Sequence, residues 1–299
     1  MKSSLLKMMT VLILVFVVCV TTAIAQELPQ LPNEKVLDKI ADPVGEKTGI
    51  VYALLVGYNV FERNPMHIAE YSKNDVSAMH KRLLEEGVPP ENIVCMTGDE
   101  KAFYLRPSRA NILAMLQSMA SHAGKNDTLF VMLGGIGAQV DDEACYLPMG
   151  TTTMTNGKGW IAESEIHRIL LNARSHKTVL FGLYDRLMNR SEAVAEIIRM
   201  TLPDTVVEVA EIAKDAKSHV TINSCSSGGF AEESKEVNND LFLTALLTIA
   251  KERNAHWLND LTTLFPSVQE TVSMKTADRE GGPQTPQMRI WTMNEMNEK

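Results

Sequence analysis

The sequence predicts an α/β fold, a three-layer α/β/α sandwich around a mostly parallel six-stranded sheet. Three observations predict it. Short apolar runs ended by glycine or turn residues recur along the chain, stretches with helical periodicity separate them, and the runs are apolar throughout rather than alternating. A strand buried on both faces has that last signature. Strands joined through helices imply right-handed crossovers and a sheet covered on both sides.

Taken in order, Val51 to Gly57 (VYALLVG) is the first strand. Val76, Met79, Leu83 and Leu84 then recur at helical spacing until Gly87 and Pro89-Pro90 stop the helix. Asn92 to Thr97 is the second strand. A helix from about Ser108, with Pro107 and Ser108 at its start, carries Ile112, Met115, Leu116 and Met119 on one face. The third strand, Thr128 to Leu133, runs into a glycine turn, Gly134-Gly135-Ile136-Gly137. After a short Tyr146-Leu147-Pro148 segment come a helix over Ala162 to Asn172, a fourth strand over Lys177 to Tyr184, and a helix over Ser191 to Leu202. Ser218 to Ser224 is the fifth strand. Helices over Leu241 to Lys251 and Trp257 to Val272, the latter with Pro266 inside it, precede a last strand at Gln287 to Trp291.

At the N-terminus, Lys2 and Lys7 precede an apolar run from Val11 to Val20, and Ala23-Ile24-Ala25 follows before Gln26. Basic, apolar and small residues in that order read as an export signal peptide over residues 1–25. The run is shorter than the roughly 20 residues a membrane span needs, which disfavours an uncleaved anchor. Residues 26–47, with Pro29, Pro32 and Pro43, read as an extended leader, and residues 48–299 as a single domain. A periplasmic or extracellular location follows.

The chain carries 29 basic and 37 acidic side chains, and cleavage after Ala25 would leave 27 basic ones and a net charge of −10. That balance disfavours nucleic acid and anionic membrane surfaces, which need a basic face. It suits a basic peptide or protein partner. Cys95, Cys145 and Cys225 remain after cleavage, an odd number at wide spacing, so neither a disulfide framework nor a zinc site is predicted.

In parallel sheets ligands sit beyond the carboxyl ends of the strands. Attention therefore falls on Gly57-Tyr58-Asn59, on Gly134 to Gly137, on Asp185 to Asn189, and on Cys225 to Gly229. Glycines after a strand can cradle phosphate, but the spacing does not fit a dinucleotide fingerprint, and Asp141-Asp142-Glu143 would repel an anion.

Several segments in order, Ala53 to Asn59, Asn74-Asp75, Pro107 to Leu113 and Asp127 to Phe130, followed by Tyr146-Leu147-Pro148, Ala231 to Ser234 with Leu241 to Leu247, and Gln284 to Gln287, carry a family likeness. Over about Tyr52 to Trp291 the chain resembles the bacterial caspase-like cysteine peptidases of the metacaspase type. The resemblance implies a catalytic histidine in a Ser-Gly-His-Gly turn after the third strand, where this sequence has Gly134-Gly135-Ile136-Gly137. It implies a nucleophile in an Asp-Ala-Cys-His-Ser-Gly turn after the fourth strand, where this sequence has Asp185-Arg186-Leu187-Met188-Asn189-Arg190. Ile136 and Leu187 therefore occupy the histidine and cysteine positions.

A cysteine peptidase needs a thiolate, an imidazole to move its proton, and donors for the oxyanion. Aliphatic side chains supply none of these, so the expectation is a pseudopeptidase that binds a peptide or protein without cutting it. The competing expectation is a relocated nucleophile, Cys225, in a Ser-Cys-Ser-Ser-Gly-Gly segment after the fifth strand. Cys225 lies 89 positions after Ile136, whereas Leu187 lies 51 after it, and its surroundings match a later family segment. It reads as a small, partly buried thiol. None of the seven histidines is placed beside it; His67, in the loop after the first strand, comes nearest to the right location. Asp185 matches the aspartate that in metacaspase-type enzymes helps line a pocket for a basic residue, and is the expected substrate-binding group, with Arg186 beside it as a neutralising or filling neighbour. No cofactor is expected. The family's calcium requirement makes Asp141, Asp142 and Glu143 the acids that could hold that ion, although such a run is usually solvated.

Overall fold

The computed structural model describes residues 49–59, 71–140, 143–151, 159–186, 218–226, 229, 231–279 and 282–292. The proposed signal peptide and leader, His67, Asp141, Asp142, Leu187 and the helix expected at 191–202 lie outside the described residues.

In chain order the elements are β1 (Val51–Gly57), α1 (Ser72–Glu85), β2 (Ile93–Met96), α2 (Arg109–His122), β3 (Thr128–Val140), β4 (Glu143–Tyr146), β5 (Ile161–Ala162), α3 (Glu163–Leu171) and β6 (Lys177–Arg186). They continue through β7 (Ser218–Asn223), β8 (Glu233–Ser234), β9 (Asn239–Asp240), α4 (Leu241–Glu252), α5 (Leu261–Lys275) and β10 (Gln287–Thr292). Six strands form the main sheet in the order β10-β7-β6-β3-β1-β2, parallel except for β10, which runs antiparallel to β7. Two short strands extend it beyond the expected six: β4 pairs antiparallel with β3, and β5 with β4.

Alternation along the strands divides the core between two layers. Ala53, Leu55, Phe130, Met132, Val179, Phe181, Val220 and Ile222 face α1, α4 and α5, where Met79, Leu83, Phe242 and Val268 are buried. Phe130, Phe181 and Trp257 meet edge to face at centroid distances of 5.0 to 5.5 Å. On the opposite face Tyr52, Leu54, Val56, Leu129, Val131 and Leu133 pack against Met115, Leu116 and Met119 of α2 and Ile166 of α3. The three-layer reading therefore holds. Ser108 caps α2 as expected, its hydroxyl accepting from Asn111 N at 3.3 Å.

Three local expectations need correction. The glycine segment 134–137 is not a turn: β3 continues to Val140 because β6 and β4 both pair with it. The strand predicted to end at Tyr184 likewise runs to Arg186, so Asp185 lies within β6 rather than after it. The helix predicted from Trp257 begins at Leu261 instead. The preceding residues form a turn in which Asp260 N donates to His256 O and Asp260 Oδ2 accepts from His256 N, and that turn carries Trp257 into the core.

Candidate functional site

The carboxyl ends of β1, β3 and β6 meet the start of α1. The contact requires Gly57, since a Cβ there would lie 2.3 Å from the Ser72 carbonyl oxygen. It seats Ser72 over Gly134, with the Ser72 Cβ at 3.5 Å from the position a Gly134 side chain would take. Gly135 adopts φ +146°, a region that disfavours side chains, and the Tyr146 ring approaches within 3.4 Å of its would-be Cβ. Tyr146 donates its hydroxyl to Gly134 O at 3.0 Å. On the same side Tyr58 donates to Leu147 O at 2.7 Å, and burial raises its phenol pKa well above the ordinary value. These bonds hold the glycine segment flat as strand.

Ile136 is fully buried. Its backbone pairs with Asp185 across β6, and its carbonyl accepts from Leu147 N at 2.9 Å.

Beside Gly135 and Leu183 opens a small pocket, about 210 Å³ of space with its mouth included, whose other lining residues are Ser72, Asp75, Ala231, Glu233 and Asp240. Its polar groups are anchored one by one. Asp75 Oδ1 accepts from Asp240 N at 2.8 Å, Asp240 Oδ1 accepts from Leu243 N at 2.9 Å as the cap of α4, and Glu233 Oε1 accepts from Tyr71 N at 2.8 Å. Asp75 is 2 % exposed. Burial and then the charge of Asp240 raise its carboxyl well above the usual range; the Asp240 N–H opposes this, and Glu233 adds to it. Three carboxylates thus converge on one partly closed space.

Residues 52–186 match the family model described as the metacaspase, peptidase C14 domain. Over these residues the chain is similar to the caspase-like, metacaspase-type peptidases. The chain is 29% identical to Metacaspase-1A of Aspergillus oryzae over 175 residues, which cover 56% of this chain and 41% of that protein. It is 26% identical to Metacaspase-1B of the same fungus over 214 residues, covering 69% and 50%, and 34% identical to Metacaspase-1 of Candida albicans over 96 residues, covering 30% and 20%. The chain spans half or less of the length of these curated relatives. The crystal structure of protein GSU0716 from Geobacter sulfurreducens shares the fold, with a TM-score of 0.51 at 15% identity over 81% of this chain and 93% of that one.

Of the expected site residues, the structure brings Ile136 and the Asp185 backbone together as strand partners. The Asp185 side chain and Leu187 lie outside the description. Cys225 sits past the end of β7, 2 % exposed, and donates its thiol to Gly229 O at 3.6 Å. It is thus more buried than expected, and that carbonyl cannot serve as a base. Cys95, Cys145 and Cys225 all remain thiols, and burial, with a smaller contribution from Glu100, raises the pKa of Cys95 to about 11. His219 is 1 % exposed on β7, between the hydroxyls of Thr178 and Thr221 at 2.8 and 3.2 Å. Among the described residues no group of three or more histidines, cysteines or acids is arranged to hold a metal ion, Asp75, Glu233 and Asp240 included.

By sequence, Asp75 and Glu233 appear only within segments that carry the family likeness, and none of the three pocket acids is predicted as a site residue. A signal was present for Asp75, which shares a helical face with Met79 and Leu83 and is therefore an acid on a core stripe. Glu233 lies in the family-like segment Ala231 to Ser234 but, like Asp240, on no periodic core stripe.

Proposed function

We propose that this metacaspase-type domain is exported and binds a basic segment of a peptide or protein without cutting it. The observation that carries the reading is the convergence of Asp75, Glu233 and Asp240 on a pocket bordered by Gly135 and Leu183, immediately beside Ile136. A cation entering there would offset the mutual repulsion of three carboxylates and the desolvation of Asp75. Asp185, whose backbone pairs with Ile136, is the further acid that the resemblance assigns to recognition of a basic residue.

Non-catalysis rests on Ile136 and Leu187 at the histidine and cysteine positions. Neither transfers a proton nor attacks a carbonyl, and nucleophile and base act as a unit, so losing either removes most of the rate. Export rests on the order of basic, apolar and small residues in 1–25.

The test is to incubate the mature protein with Arg- and Lys-containing fluorogenic peptides, with and without calcium. In parallel, binding of a labelled basic peptide is followed by fluorescence anisotropy. The expected result is binding that weakens in Asp75→Asn, with no fluorophore release. Cleavage that vanishes in Cys225→Ala would overturn the reading in favour of a relocated nucleophile.

A further inference from the structure

We draw no further inference here: the strongest candidate, the two buried polar side-chain atoms without partners at the carboxyl end of β7, Asn223 Oδ1 and Ser224 Oγ, carries nothing because consecutive residues of an extended chain point to opposite faces of the sheet, neither residue lines the pocket already described, and nothing in the structure shows which ligand would meet them.

Discussion

Two neighbouring positions at the carboxyl end of the sheet are buried alike and treated in opposite ways. Ile136 is fully buried and apolar, held in a strand that pairs on both sides. Asp75, 2 % exposed on α1, carries a carboxyl among two others, with its pKa raised by burial first and by Asp240 next. Burial at the first position stabilises the fold and offers no chemistry. At the second it works against the fold, and it is there that a basic group is proposed to bind. The difference teaches where to look for function in a domain whose reaction is proposed to be lost: at the group whose presence costs stability rather than at the one that adds to it.

The largest effect concerns turnover. With Ile136 and Leu187 in place, peptide cleavage should fall below that of an active relative by a factor on the order of 10⁶, the penalty seen when a catalytic nucleophile or base is removed. Released fluorophore measures it. The double substitution Ile136→His with Leu187→Cys should bring cleavage back to a measurable level. A folded but silent double variant would break the comparison by showing that the space around Ile136 has closed.

Next in size is packing. Ile136→Ala should cost about 2–5 kcal/mol of stability, the range for emptying a buried aliphatic site, read as a lower denaturant midpoint at unchanged slope. A cost near zero would mean that Ile136 is not part of the packed interior.

A smaller effect of opposite sign should follow at the neighbouring position. The Asp75 pKa is raised in the folded state, so the stability this group contributes is present in full below its unfolded value, about 4, and is lost as pH rises through the folded value. Asp75→Asn keeps an acceptor for Asp240 N and removes the charge. The variant should therefore be more stable than the parent at neutral pH and lose that advantage on acidification, as urea midpoints across a pH series would show. A variant less stable at every pH would mean that a cation or donor already compensates Asp75.

The smallest effect is expected for Cys225→Ala, about 1 kcal/mol of stability from a small buried thiol and no change in peptide binding. Loss of binding would draw Cys225 into the site.

Much of the architecture was legible in the sequence because it rests on local regularities. The runs at Val51 to Gly57, Lys177 to Tyr184 and Ser218 to Ser224 lie within a residue or two of the observed strands, since a strand buried on both faces must be apolar over its length. The spacing of Ile112, Met115, Leu116 and Met119 marked the buried face of α2. Local reasoning went astray where pairing outweighed propensity. Gly134 and Gly135 read as a turn, yet hydrogen bonding to β6, with the Tyr146 hydroxyl on Gly134 O, holds them extended. The helix expected from Trp257 starts later because burial of the indole demands a turn there.

The sequence by itself determined the layers, the family likeness and the aliphatic identity of the two positions on which the proposed loss of catalysis rests, because these are matters of residue type and periodic spacing. Only the tertiary structure decided that an acidic pocket stands next to Ile136. Asp75 and Asp240 are 165 positions apart and meet through a backbone bond of 2.8 Å. Their mutual repulsion and burial, which give the pocket its chemistry, exist only once the sheet brings α1 and β9 together.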